Sequence, residues 1–165
     1  MNDKKIIILM IISTIVSLFG GIFFLTKTTS TPQITVSQNA KAYVPNSTSF
    51  DWGIIPMSKG NVTKAFTIKN TGTDTLKLFN IKTSCHCTKA YSTINGTDSP
   101  SFGMDGLSSW IGEVSGGKEA KLTVVFDPAY HGPQEVGPIN RFVSVETNDK
   151  ANTKLTFTLT GNVIK

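Results

Sequence analysis

Cys85 and Cys87 are the only cysteines in this 165-residue chain, and His86, one of its two histidines, stands between them. Three chemistries fit that triplet. Two small apolar side chains can simply close the end of a strand. In an oxidising compartment an even pair can form an intramolecular disulfide, and so tight a ring is strained and easily reduced, suited to exchange more than to holding a fold. Soft sulfur donors beside an imidazole also select copper(I) or zinc. Geometry constrains the last two. In a straight strand, residues i and i+2 share a face about 6.5 Å apart. A disulfide wants Cβ atoms near ~3.8 Å, and two thiolates on one tetrahedral zinc need about the same spacing. His86 would then point away from both cysteines. A bend in the backbone is required for either a disulfide or a metal site.

His131, in "FDPAYHGPQEVGP", is the other imidazole. Asp-Pro and His-Gly-Pro make it a turn residue, expected at a hairpin tip. It forms a Cys–His pair only if its loop folds over Cys85 or Cys87. The chain has no Gly-x-Ser-x-Gly, His-Glu-x-x-His, P-loop or dinucleotide fingerprint, and Asp105 and Glu113 stand isolated. No catalytic set is identified, and the chain reads as a non-enzyme.

The elements that must position these residues are strands. "VTKAFTIKNTG" puts Phe66 and Ile68 on one face; "EAKLTVVFD" alternates Ala120, Leu122, Val124 and Phe126; "TKLTFTLTGNV" alternates Leu155, Phe157 and Leu159. Period-2 runs separated by Gly, Pro, Asn and Asp turns predict an all-β, immunoglobulin-like antiparallel sandwich of about seven strands. Residues 34–37 and 49–53 count among them. In "TLKLFNIK" the apolar phase slips from Leu76 and Leu78 to Phe79 and Ile81, which predicts a bulge or a change of sheet just before the cysteines. Residues 91–117 read as one long Gly- and Ser-rich loop. Its Phe102 and Trp110 either cover an open end of the sandwich or, with His131, offer a surface for a partner.

Residues 6–25, "IIILMIISTIVSLFGGIFFL", carry no charge. As a helix they reach about 30 Å, the thickness of a bilayer's hydrocarbon core. Lys4 and Lys5 precede the span, so residues 1–5 are expected in the cytoplasm and the remainder outside it. The span exceeds the ~7–15 apolar residues of a cleaved signal peptide and lacks a small-residue cleavage site, so it reads as a transmembrane signal anchor. Residues 26–44 form a tether with a possible first strand, and 45–165 one extracytoplasmic domain. The net charge of +5 is spread along strand faces rather than gathered in a stripe, which excludes a nucleic-acid surface.

"SFDWGIIPMSKGNVTKAFTIKNTGTDTLKLFNIKTSCHCTKA" resembles the bacterial domain of unknown function 1573. Phe50, Trp52, Gly53, Asn70, Thr71, Gly72, Leu76, Ser84, Cys85, Cys87 and Thr88 carry the resemblance. His86 replaces the glycine of the family's Ser-Cys-Gly-Cys-Thr motif. The resemblance implies a sandwich of the abnormal-spindle and hydin-like type, exported and often anchored in the bacterial inner or plasma membrane. It implies no established biochemical activity; no cofactor is expected, unless the cysteines hold copper or zinc. Two functions are therefore expected. One is binding or assembly with a protein partner of the cell envelope; the other is thiol-redox or copper/zinc binding through Cys85, His86 and Cys87.

Overall fold

The structure, a computed structural model, describes residues 7–8, 10–17, 34–105 and 108–165. The chain divides into two units, 1–33 and 34–165. In the first, residues 10–17 are helical, with apolar side chains such as Met10 and Val16 exposed. The rest of the predicted span over 6–25, and residues 26–33 of the predicted tether, lie outside the described residues. Among the described residues no helix is long and apolar enough to cross a membrane.

The second unit is an all-β sandwich of two five-stranded sheets. One sheet contains β1 (Ala42–Tyr43), β3 (Val62–Asn70), β8 (Glu119–Phe126), β5 (Thr88–Ile94) and β6 (Thr97–Asp98), in that order. The other runs β2 (Ser49–Pro56), β10 (Lys154–Ile164), β9 (Gly137–Thr147), β4 (Leu76–Thr83) and β7 (Ile111–Val114). Alternation decides which side chains face inward. Phe66, Ile68, Leu122 and Val124 from one sheet meet Leu78, Val143, Val145, Phe157 and Leu159 from the other in the main core. The Phe66 and Phe157 rings pack across the layers at 4.7 Å. Each such side chain contributes about 1.5–3 kcal/mol of burial.

Four expectations change. Residues 34–37 are not a strand; only Ser37 bridges to Asp149. The described residues form ten strands rather than about seven, because β1, β5, β6 and β7 are added. One pair is parallel: β2 runs alongside β10. Nearly the whole domain separates these two strands, so no short turn imposes an antiparallel course. Residues 91–117 are not one loop, since they contain the end of β5, then β6 and β7. Asn95 and Gly96, both at positive φ, turn the chain between β5 and β6. Asn-Gly is the residue pair that favours such a tight hairpin.

The phase slip in β4 is a bulge. Its register against β9 shifts between Phe79 and Lys82, Asn80 sits at φ 48°, and the buried side chains become Ile81 and Thr83.

Two buried polar residues tie down the opposite end of the sandwich. Asn70 donates to the carbonyls of Asp74 and Val114, both at 2.8 Å, and accepts from Gly72 N–H at 3.0 Å and Lys41 N–H at 3.3 Å. Gly72 is needed there because a Cβ would fall 1.9 Å from the Asn39 carbonyl oxygen. Asp149 accepts from Ala151 N–H at 2.8 Å and from Ala42 N–H and Asn152 Nδ2, both at 2.9 Å. Burial pushes its carboxyl up, but bonds from the Asn152 side chain and from the Ala151, Ala42 and Asn152 amides outweigh this and hold it below the usual range.

Asp149→Asn turns an amide toward these donors and is expected to cost about 2 kcal/mol at neutral pH. The Asp149 contribution is present above the unfolded value near ~3.9 and is lost as pH falls through the lower folded value. Denaturant melts of both proteins from pH 7 into acid should therefore show the gap closing only at the acid end. A gap that does not change with pH would refute this account of the carboxylate.

Candidate functional site

β4 ends in one sheet and β5 begins in the other, so the residues between them, 84–87, must cross the sandwich in one turn. The turn is closed by Thr88 N–H on the Cys85 carbonyl at 3.1 Å. The Thr83 hydroxyl shares its one hydrogen between the carbonyls of Cys85 and Thr88, each 3.0 Å from Oγ1. Ser84 N–H donates to the Phe142 carbonyl and Phe142 N–H to Ser84 Oγ, both at 2.9 Å, which binds the turn to β9. Asp127 N–H donates to the Cys87 carbonyl at 2.9 Å, which binds it to the end of β8.

This bend sets the Cys85 and Cys87 Cα atoms 5.2 Å apart, and the two sulfurs form a disulfide. The two sulfurs differ in surroundings. Cys87 is 2% exposed and belongs to a small second core with Ile55, Phe126 and Val163. Trp52 stacks on Phe126 at 5.7 Å and closes that cluster from the β2 side. Cys85 is only half-buried at its edge.

A second crossover lies at the same end. Residues 127–136 join β8 in one sheet to β9 in the other, so His131 is not at a hairpin tip as expected. The loop is a chain of turns: Ala129 N–H donates to Asp127 Oδ1 at 2.9 Å, and Gly132 N–H to the Ala129 carbonyl at 2.9 Å. His131 Nε2 comes to 3.3 Å from Cys85 Sγ, with its ring edge-on to Tyr130 at 5.0 Å. From β9, Arg141 Nε donates to Cys87 Sγ at 3.2 Å, and its guanidinium lies 5.6 Å from the Phe126 ring centroid. Burial lowers the Arg141 pKa, and Glu135 acts to raise it. His131, Glu135, Arg141 and Phe126 line a cleft of about 220 Å³ beside the turn.

The other residues marked in the sequence lie elsewhere. His86 Nδ1 is 3.1 Å from Asp105 Oδ2 and takes no part with the two sulfurs. Phe102 is buried at 6% exposure, paired to β5 through Ala90, and is no surface residue. Trp110 is half-buried against it at 5.4 Å. Arg141 was not singled out by sequence, yet a signal existed: it is the only arginine in a chain with 16 basic residues. A lysine would serve any solvated strand face, so one guanidinium marks a place where a fixed donor matters.

The arrangement sets an imidazole on the more exposed sulfur and a guanidinium on the buried one. A bond across one intervening residue restricts the unfolded chain little, by about 1.6 kcal/mol against about 3 kcal/mol for a 15-residue loop. Reducing it should leave the far-ultraviolet circular dichroism of the sandwich unchanged and lower the unfolding free energy by at most about 2 kcal/mol. Cooperative unfolding on reduction would instead make the bond a structural staple.

Residues 44–96 match the model of a family described as a protein of unknown function, DUF1573. The matched segment holds both cysteines but neither His131 nor Arg141. No curated protein matches the sequence. Among solved structures, a protein of unknown function from Porphyromonas gingivalis W83 is similar, with a TM-score of 0.57 at 19% identity over 79% of this chain. This chain spans 50% of that one. The ASH/PapD-like domain 7 of human CEP192 gives a TM-score of 0.47 at 18% identity over 84% of this chain and 96% of that one. The E. coli chaperone DraB gives 0.43 at 7% identity over 77% and 56% respectively. At these identities the likeness is one of fold, an immunoglobulin-like sandwich.

Proposed function

We propose that this chain is a thiol–disulfide exchange domain, held on the outer side of a bacterial membrane by its N-terminal segment. The observation that carries the reading is the pair of partners on the Cys85–Cys87 bond: Arg141 at the buried sulfur and His131 at the exposed one. A thiolate of a client dithiol attacks Cys85 Sγ, the reachable sulfur. A mixed disulfide forms there, the Cys85–Cys87 bond breaks, and the electron pair leaves on Cys87. Arg141 stabilises that thiolate, and a stabilised leaving thiolate leaves faster. The client's second thiolate then displaces Cys85, whose sulfur takes a proton through His131. The client is oxidised to a disulfide, and the two cysteines are reduced to a dithiol. In the reverse direction Cys85 is the nucleophile and His131 the base.

The anchor is supported by the uncharged stretch over 6–25 and by the exposed apolar side chains of the described helical residues, such as Ile11 and Val16. An oxidising space outside the membrane would keep such a pair in the disulfide form.

The test is an equilibrium between the full-length protein and a glutathione buffer, read by thiol alkylation. The bond should open while the sandwich stays folded. Arg141→Met removes a charge-assisted bond worth about 1.5–3 kcal/mol from the reduced form. It should therefore shift the equilibrium toward the disulfide by about tenfold or more. A bond that opens only on unfolding, or an equilibrium indifferent to Arg141→Met, would count against the reading.

Binding or assembly at the cell envelope is the second reading. It is favoured by β2, an edge strand whose Ile54 is 69% exposed beside Pro138 and Ile139. Free sheet edges can accept a partner strand. Crosslinking in envelope membranes should then trap a specific protein partner that Ile54→Lys abolishes while thiol exchange is unchanged.

A further inference from the structure

We infer that the reduced Cys85–Cys87 pair, with His131 as third donor, is a binding site for the soft monovalent ion Cu(I). The inference rests on the exchange reading in one respect: the ligands exist only after the disulfide has opened. Reduction by two thiols of a donor gives the donor disulfide and two cysteine thiols. Cu(I) then displaces one proton from each cysteine.

The donors are already gathered. One sulfur from each cysteine and one ring nitrogen of His131 lie within 4.8 Å of one another. Metal–sulfur bonds near ~2.3 Å and metal–nitrogen bonds near ~2.0 Å, the values for zinc, span donor pairs about 4 Å apart. The sulfurs must therefore part by rotation about their Cα–Cβ bonds, and the 5.2 Å Cα separation made by the turn leaves them on the same side. A straight strand would hold those Cα atoms about 6.5 Å apart. His86, the histidine adjacent in sequence, is drawn to Asp105 instead. The third ligand comes from the neighbouring crossover.

Charge and coordination number choose among soft ions. Two thiolates carry two negative charges, and Arg141 supplies one positive charge at Cys87 Sγ. A monovalent ion makes this set neutral, whereas a divalent ion leaves a positive excess beside an apolar cluster. Glu135 offsets little of it, because it is exposed and screened by water. The group of possible ligands has three members among the described residues, and structural zinc sites take four protein ligands. Sulfur-rich sites with few donors favour Cu(I).

The test uses the full-length protein in detergent, reduced, desalted without oxygen, and titrated with Cu(I) against a chromophoric Cu(I) chelator. Free thiols are counted in the same sample. The reduced chain should hold a single Cu(I) and the disulfide form none. His131→Ala should weaken binding by about tenfold or more, as even an outer partner of a metal ligand is worth 10–100-fold. His86→Ala should leave it unchanged. Both substitutions lie in half-buried or exposed turns, and circular dichroism confirms folding. Two countable thiols with no Cu(I) bound, equal loss from His86→Ala, or tighter binding of zinc than of Cu(I) would each overturn the site while leaving thiol exchange intact. A bond that cannot be opened in the folded protein would overturn both.

Discussion

The crossing of the sandwich at residues 84–87 is the constraint on which the rest of the functional end depends. β4 and β5 belong to different layers, and the chain passes between them in four residues. Backbone groups in so short a passage cannot join either ladder, and any left buried without a partner would cost free energy. The local solution is specific: the Thr83 hydroxyl serves two carbonyls, Ser84 exchanges two bonds with Phe142, and Asp127 takes the carbonyl of Cys87. The Ser84 bonds tie the turn to β9, the Asp127 bond ties it to the end of β8, and the Thr83 hydroxyl braces it internally. The cysteine pair follows from the bend, because the same two residues in a strand would stand too far apart to bond.

A second crossover at the same end supplies what the first lacks. The connection from β8 to β9 must also change layers, and its string of turns carries His131 over the exposed sulfur. Arg141 then enters from β9 four residues past the loop's exit at Gly137, level with the buried sulfur. Beneath both lies the small core of Ile55, Phe126, Val163 and Cys87, roofed by Trp52. The disulfide thus has a packed floor and an open rim, and only its rim side is reachable.

Much of the fold was legible in the sequence, and less of the site. β3, β8, β9 and β10 announce themselves because large apolar residues alternate with polar ones. β5 does not, since its inward positions Thr88, Ala90 and Ser92 are small and two of them polar. The Asn95-Gly96 hairpin was readable, yet the Gly- and Ser-rich composition around it read as a loop. The bulge in β4 was visible as a phase slip, because one extra residue moves every later side chain to the other face. The cysteine pair is local and was found. Its partners were not assignable, because His131 comes from a crossover loop and Arg141 from β9, 46 and 54 residues further along the chain.

The two partners are unequal, and the inequality matters more than their presence. A guanidinium on the exposed sulfur would attract any anion and protect little; half-buried beside the buried Cys87 sulfur, it sits where a lone thiolate would be costly. An imidazole on the buried sulfur would have no route for its proton; on Cys85 it faces solvent and can pass one in either direction. Charge that must be held is therefore met by the group that is always charged. In the exchange reading, the proton that must move is met by the imidazole. In the proposed Cu(I) site the same division would hold, with Arg141 balancing charge without a ligand atom and His131 offering a nitrogen. In the exchange reading, swapping the two side chains would keep the composition and lose the activity, because it depends on His131 coming from the β8–β9 crossover and Arg141 from β9 itself.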